Sequence, residues 1–103
     1  MKYKVIEYDE IAYFFARDKI NFVCTIDDRR IPVDFTLDAL ENLLDKSIFF
    51  RINRQTITHI KAIAQILPHT KSRLKIVLKP PIDMENVISW DKVAIFKEWY
   101  KNN

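Results

Sequence analysis

The chain of 103 residues contains no glycine. Glycine enters the left-handed region of backbone space without steric cost, and it lets a backbone approach a phosphate group closely. Walker-type phosphate loops and dinucleotide-binding turns need those properties, so nucleotide-dependent enzymes built on these motifs are excluded. We expect the turns of this chain to use Asp, Asn and Pro instead.

The length predicts one domain, and 49% hydrophobic residues suffice for one compact core. We therefore expect residues 1–103 to form a single domain. Cys24 is the only cysteine, which excludes an internal disulfide and favours a buried, unreactive thiol. No apolar run is long enough to span a membrane, and the first residues lack an apolar signal region, so a cytoplasmic location is the simplest expectation.

Short alternating or apolar segments predict a mainly β fold. Asp27 and Asp28 lie in a predicted hairpin turn, and Pro32 indicates an edge strand because proline cannot donate to a ladder. The residues from 53 to 61 are expected to be irregular or to form a single turn, and 68–70 to be a loop. Strands are predicted at 3–8, 11–16, 20–26, 31–35, 48–52, 62–67, 73–79 and 84–88.

Two amphipathic helices are predicted. Thr36 is a suitable N-cap for the first, and Ser89 for the second. The apolar side of the first helix consists of Leu37, Leu40, Leu43 and Leu44, and that of the second of Val93, Phe96, Trp99 and Tyr100.

Residues for catalysis or metal binding are not placed in recognisable patterns. His59 and His69 are the only histidines and have no Cys or His partner at a zinc-like spacing, so we expect no metal or other cofactor, and a solvated His69. The carboxylates of Asp27 and Asp28 fit turn formation, and no serine stands in a nucleophile elbow, which requires glycine. An enzyme is therefore the weaker class.

The charges are unevenly distributed along the chain. Seventeen Lys and Arg against fourteen Asp and Glu give a net charge of +3. The segment 51–79 has no acid, and its basic residues could steer a phosphate backbone. These are Arg51, Arg54, Lys61, Lys71, Arg73, Lys75 and Lys79.

The segment 49–63 interleaves apolar anchors with polar side chains that cannot be buried cheaply. It therefore presents Arg51, Arg54, Gln55 and Lys61 outward, as a recognition element would, although an ordinary turn between two core strands has the same composition. A second group, consisting of Arg17, Lys19 and Asn21, surrounds a strand break. For Lys19 and Asn21 the residues alone favour an ordinary polar loop tip over a recognition element. Arginine can read a guanine edge, and Asn or Gln an adenine edge, through two hydrogen bonds.

The run Phe50-Arg51-Ile52-Asn53-Arg54-Gln55-Thr56-Ile57-Thr58-His59-Ile60-Lys61-Ala62-Ile63, at its distance from the leucine helix, resembles the LytTR DNA-binding domain family. The resemblance extends from about Ile11 to Phe96. It implies an elongated LytTR-like β-sandwich of antiparallel sheets, three in number, with a short Leu-rich helix and a C-terminal helix. It further implies the output domain of a bacterial two-component response regulator, which inserts loops into successive major grooves of double-stranded DNA.

By position, the resemblance assigns three recognition segments. The first segment is Lys19, Ile20 and Asn21, and the second is Arg54, a base reader, with Gln55 as a phosphate contact. The third is 89–92, where Ser89 is a phosphate candidate and Lys92 a base-reading candidate. Further phosphate candidates are Arg17, Arg51 and Lys61, with packing as the alternative for Arg51.

Two departures from the family pattern affect these assignments. Trp90 and Asp91 replace the customary arginine, so the third contact must come from Lys92, shift or be lost, and Trp90 could be buried in the first turn of the closing helix. Thr58 and His59 replace the usual Val-Asn, which could alter the turn that follows.

The sequence thus predicts sequence-specific DNA binding by a transcriptional regulator. A receiver domain or a sensor kinase would act from outside this chain, and the resemblance allows a homodimer on repeated sites. The alternative is a small β-rich interaction module that binds an acidic protein without binding DNA. Strong salt dependence of duplex affinity would distinguish the two.

Overall fold

The computed structural model describes residues 5–103. These residues form eight strands and two α-helices in an elongated molecule of 48 × 28 × 24 Å. Two short 3-10 helices are also present: Tyr8–Glu10 precedes the first strand, and Ile60–Ala62 lies between the fifth and sixth strands. In chain order the elements are β1 (Ile11–Arg17), β2 (Ile20–Thr25), β3 (Arg30–Val33), α1 (Leu37–Leu43), β4 (Phe49–Asn53), β5 (Thr56–His59), β6 (Ile63–His69), β7 (Arg73–Leu78), β8 (Val87–Ile88) and α2 (Trp90–Lys101).

The strands form two antiparallel sheets, of order β3-β2-β1-β5-β4 and β6-β7-β8. The mainly β prediction is confirmed, but the expected third sheet is wrong. Strand β1 pairs with β2 on one side and with β5 on the other, which joins the first three strands and the β4–β5 hairpin into one sheet. The β1–β2 and β4–β5 hairpins therefore turn at the same end of β1, after Arg17 and after Asn53.

The five-stranded sheet is covered on both faces, because alternate side chains of β1 point to opposite sides. Tyr13 and Phe15 pack with the second sheet and with Phe96 of α2. Phe14 packs on the other face, against Leu40 and its neighbours on α1. Cys24 is buried as predicted, and so is Phe96.

Helix α1 begins as predicted, since the Thr36 hydroxyl accepts a hydrogen bond of 3.0 Å from the amide of Ala39. The predicted apolar side is wrong at one position. Leu43 is 66% exposed because it lies on the solvent side of this short helix, while the other three leucines are buried.

Several predicted strand limits need correction. The strand at 3–8 begins outside the described residues, and from Val5 on it is not a strand, because Glu7 and Glu10 form a capping box around a 3-10 helix. The irregular segment after residue 53 contains strand β5, paired with β1 and β4. The predicted loop at 68–70 is wrong at its start: β6 continues through Pro68 and His69, since β6 lies at a sheet edge where the missing N–H of proline costs no ladder bond. His69 is therefore partly buried near Glu85 instead of free in solvent.

The turns use residue types that the sequence did not predict. Positive φ angles occur at Asp18, Lys19, Asp28, Lys71 and Ser72, so lysine and serine share this role with aspartate. Pro32 lies in β3 at the edge of the large sheet, as predicted.

Candidate nucleic-acid interface

The β4–β5 turn presents the second recognition segment to solvent. Arg54 and Gln55 are exposed, and their side chains have no hydrogen-bond or ion-pair partner among residues 5–103. The turn backbone, in contrast, is held closely: the Asn53 side-chain oxygen accepts a 2.8 Å hydrogen bond from the amide of Gln55. Two free polar side chains thus stand on a fixed backbone, which is the geometry that base reading needs.

The side chain of Arg51 fixes the backbone of this turn. Its Nε donates to the carbonyl of Asn53 at 2.7 Å, and its Nη2 to the carbonyl of Arg54 at 2.8 Å. Its Nη1 lies 2.8 Å from a carboxylate oxygen of Asp38 and 3.0 Å from one of Glu41, both on α1. The prediction that Arg51 is presented outward is wrong, since only 14% of its side chain is exposed. Its contacts are those of a packing residue, the second of its two predicted roles.

The β1–β2 turn presents the first recognition segment. Asp18 and Lys19 form its two central residues, with φ of 53° and 66°, as a type I′ hairpin turn requires. Lys19 is exposed, and its ammonium group has no ion-pair partner in the described chain. A tight turn without glycine thus holds a free cation at its tip.

The other two polar residues near this turn have intramolecular contacts. The Asn21 side-chain nitrogen donates a 2.7 Å hydrogen bond to the carbonyl of Phe35, which leaves its oxygen and one N–H for another partner. Arg17 donates from Nη2 to the carbonyl of Asp83 at 2.9 Å, and its guanidinium lies 5.8 Å from the centre of the Phe15 ring. Both residues brace the first turn in addition to any contact that they make outward.

The two turns are joined directly. The amide of Ala16, next to the first turn, donates a 2.9 Å hydrogen bond to the carbonyl of Gln55 in the second turn. Phe15 pairs with Thr56 in the adjacent ladder position. The structure therefore brings the first and second recognition segments together at one end of the large sheet.

The third recognition segment forms the start of α2. The Ser89 hydroxyl donates to a carboxylate oxygen of Asp91 at 2.6 Å, and this bond lowers the pKa of the Asp91 carboxyl. Ser89 thus occupies the predicted N-cap position, but its hydroxyl bonds to Asp91 and makes no cap to the backbone. Trp90 begins the helix as expected but is 71% exposed, so the prediction that it could be buried is wrong. It lies outside the apolar side of α2, which Phe96 and Trp99 supply.

Lys92 and Lys61 are placed differently from each other. Lys92, on the first turn of α2, lines the same cavity as Arg51. It is therefore close to the side chain that fixes the backbone of the second recognition segment. Lys61 lies beyond the far end of β5, since His59 pairs with Phe49, at the opposite end of the ladder from Asn53 and Thr56. The structure thus does not bring Lys61 to the two turns.

His59 caps the 3-10 helix that follows β5. Its Nδ1 accepts a 3.0 Å hydrogen bond from the amide of Lys61. Burial, and secondarily the charge of Lys61, lower the pKa of the His59 imidazole. The imidazole therefore favours its neutral form.

The acid-free segment of the sequence is not acid-free in space. Arg51 pairs with Asp38 and Glu41, and Lys75 has a carboxylate oxygen of Glu85 at 4.0 Å. Sequence inspection missed these partners because they come from outside the segment. Two acids on the exposed side of α1 were visible in the sequence, but nothing in it indicated which arginine they would meet.

Within residues 5–103, no helix is both long and apolar enough to cross a membrane. The same residues contain no group of three or more His, Cys, Asp or Glu side chains placed to hold a metal ion.

Comparisons with known proteins agree with this architecture. The sequence profile described as the LytTr DNA-binding domain matches residues 1–101. No curated protein matched the chain. A solved structure described as the LytTr DNA-binding domain of a methyl-accepting/DNA response regulator from Bacillus cereus superimposes with a TM-score of 0.76, covering 91% of this chain and 84% of that one at 22% sequence identity. Such a likeness shows the fold, and the profile match shows the relationship: this chain belongs to the LytTr DNA-binding domain family.

Proposed function

We propose that this domain binds double-stranded DNA in a sequence-specific manner, as part of a bacterial transcriptional regulator in the cytoplasm. Residues 1–103 would act as one domain, and a receiver domain or sensor kinase outside this chain would supply the input of a two-component system. The observation that supports the proposal is the pairing of two hairpin turns at one end of the sheet. Each turn has a fixed backbone and carries an exposed cation without a partner among residues 5–103.

The second turn supplies the proposed base contact. The Arg54 guanidinium can donate two parallel hydrogen bonds to a guanine, and it is not occupied by any residue of the described chain. Gln55 stands beside it for a phosphate. Because Arg51 fixes the carbonyls of Asn53 and Arg54, the reading arginine starts from an ordered backbone, which reduces the entropy lost on binding.

The first turn supplies a second contact area. Lys19 would meet the DNA at its tip, with Asn21 and Arg17 as weaker candidates because each already donates a hydrogen bond within the protein. Lys92 and Ser89 would add contacts at the start of α2, although the negative charge of the Asp91 carboxylate would repel a phosphate there. Lys61 lies apart from these residues and would reach DNA only if the duplex extended along the large sheet.

The test starts from duplexes selected out of a random pool by the wild-type domain. We expect Arg54→Ala to lose about 1 to 3 kcal/mol of binding free energy on the selected duplex and far less on a random duplex, as measured by fluorescence anisotropy. Gln55→Ala serves as the matched control, since a phosphate contact is lost equally on both duplexes. Equal losses on both duplexes for Arg54→Ala would make Arg54 a phosphate contact, and no selection from the pool would overturn the proposal.

A further inference from the structure

A cavity of about 370 Å³ lies between strand β7 and the segment 79–86, which connects β7 to β8. It shares no lining residue with the cavity that Arg51 and Lys92 line. Side chains of the large sheet fix the backbone of this connecting segment. The carbonyls of residues 80, 81 and 83 accept hydrogen bonds of 2.8, 2.6 and 2.9 Å from Tyr13, Arg30 and Arg17, respectively. The cavity therefore has one wall of regular strand and one wall of anchored loop.

Asn86 brings a buried, unpaired acceptor to this cavity. The residue lines the cavity and is 1% exposed, and its side-chain Oδ1 has no hydrogen-bond partner among residues 5–103. Its position is fixed, because its backbone carbonyl accepts a 2.8 Å hydrogen bond from the amide of Ile76. Proteins pair nearly all buried polar groups, since an unpaired one costs free energy. A donor group inside the cavity would remove this cost.

The charges of the lining favour a cation. Asp83 and Glu85 supply two carboxylates, and Lys75 supplies the only cationic side chain. Lys75 lies 4.0 Å from Glu85, whereas the Asp83 carboxylate has no ion-pair partner in the described part of the chain. The apolar part of the lining includes Ile76, Leu78, Ile82 and Met84.

These features select one chemical class of occupant. The volume lies at the lower end of the range of about 300 to 1,000 Å³ that ligand pockets show, which suits a small molecule. A guanidinium group carries only donors, so it can bond to the Asn86 oxygen and neutralise Asp83 while its alkyl chain contacts the apolar lining. An anion would be repelled by Asp83 and would offer no donor. A quaternary ammonium ion would match the charge but could not donate to Asn86.

We infer that this cavity is a binding site for a small alkylguanidinium cation. The site goes beyond the DNA-binding role, since it uses none of the exposed side chains of the two recognition turns. Its measurement requires no DNA.

The probe is n-butylguanidinium, followed by NMR on the backbone amides of the whole domain. We expect saturable shifts confined to the cavity residues, with a dissociation constant on the order of 1 mM for a ligand of this size. The matched ligand n-butyltrimethylammonium has the same charge and chain but no N–H group. It should bind about tenfold more weakly, because the buried acceptor stays unpaired.

Asn86→Leu removes the acceptor and keeps a side chain of similar size. It should weaken n-butylguanidinium binding about tenfold, to the level of the quaternary ion, and should not lower the urea midpoint, because the lost oxygen had no partner. A residue that served only to hold the fold would lower that midpoint when replaced.

Asp83→Asn tests the charge at an exposed position, where the substitution does not threaten folding. It should weaken binding about twofold to fivefold, as loss of one partly solvated ion pair does. Asp34→Asn is the matched control, since Asp34 is also exposed but does not line the cavity, and it should bind like wild type.

Equal binding of the two cations, or wild-type binding by Asn86→Leu, would overturn the inference, because the buried acceptor would then not contact the ligand. Equal binding by Asp83→Asn and Asp34→Asn would also overturn it. So would the absence of saturable shifts at about ten times the expected dissociation constant, which would leave a buried water as the partner of Asn86.

Discussion

The guanidinium of Arg51 donates a 2.8 Å hydrogen bond to the carbonyl oxygen of Arg54, so that one arginine fixes the backbone from which another reaches solvent. The two residues are three positions apart but have opposite environments. Arg51 is largely buried and makes four hydrogen bonds, whereas the Arg54 side chain is exposed and has no partner in the described chain. This division of roles explains how a turn without glycine can be rigid in its backbone and still present a free cation.

Arg51→Lys should therefore disrupt the turn although the charge is kept. A lysine cannot reproduce the fork that holds two carbonyls and two carboxylates, so we expect the free energy of unfolding to fall by about 1 to 3 kcal/mol in urea denaturation. The amides of Arg54 and Gln55 should lose dispersion in NMR spectra. Arg73→Lys is the matched control, since the side-chain hydrogen bonds of Arg73 within the described residues all go to Thr70 of its own hairpin. Unchanged stability together with equal affinity losses on all duplexes would instead make Arg51 a phosphate contact.

Lys19→Gly separates the conformation of the first turn from its charge. Lys19 has a φ of 66°, a conformation that costs lysine free energy but costs glycine none. Glycine also gives the unfolded chain more conformational entropy, which offsets part of this gain, so we expect the free energy of unfolding to rise by about 0.5 to 1 kcal/mol. Duplex affinity should fall because the cation is lost. Lys71→Gly changes the same conformation, with a φ of 60°, in a different hairpin. It should give the same stabilisation without the loss of affinity, and an equal loss in both variants would remove Lys19 from the interface.

Duplex affinity should depend strongly on salt. Each phosphate that the domain neutralises contributes about −0.9 to the slope of log K against log salt concentration. We expect Lys19→Gln to reduce the magnitude of this slope by about one, and Lys101→Gln, near the C-terminal end of α2, to leave it unchanged. A flat salt dependence for the wild-type domain would favour the alternative of a module that binds another protein.

Sequence patterns predicted those features that depend on residues close to one another along the chain. The mainly β class, the Thr36 cap and the exposure of Arg54 and Gln55 follow from local alternation and side-chain polarity. The contacts of Arg51 with Asp38 and Glu41 could not be predicted, since α1 and β4 meet only when both pack on the sheet. Strand β5 was missed for the same reason: its short Thr-Ile-Thr-His run, at 56–59, becomes a strand because β1 and β4 flank it.

Stability should decrease as the pH falls through the range in which His59 is protonated. The pKa of His59 is lowered in the folded state, so between this pKa and the unfolded value of about 6.5 the unfolded chain binds more protons. The stabilisation is therefore complete above about pH 6.5 and is lost as pH falls through the lower folded pKa. His59→Asn keeps a capping side chain that does not titrate, so it should remove this pH dependence of stability. The measurement is urea denaturation in buffers from about pH 5 to about pH 8, a range that spans the unfolded pKa. His69→Asn removes the other histidine and is the control; if it flattened the profile and His59→Asn did not, the assignment would be wrong.

Asp91→Asn should increase DNA affinity. The Asp91 carboxylate accepts from Ser89 at 2.6 Å and is held ionised at the start of α2, in the segment where the family resemblance places an arginine. Asparagine can still accept the Ser89 hydrogen bond, so the change removes the charge and keeps the local structure. We expect a gain of about twofold to fivefold in anisotropy titrations at low salt, at a cost of about 0.3 to 1 kcal/mol in stability because an anion is lost from the helix N-terminus. Glu98→Gln removes the same charge far along the helix and should leave affinity unchanged, whereas equal gains in the two variants would show that only net charge matters and that the third segment makes no contact.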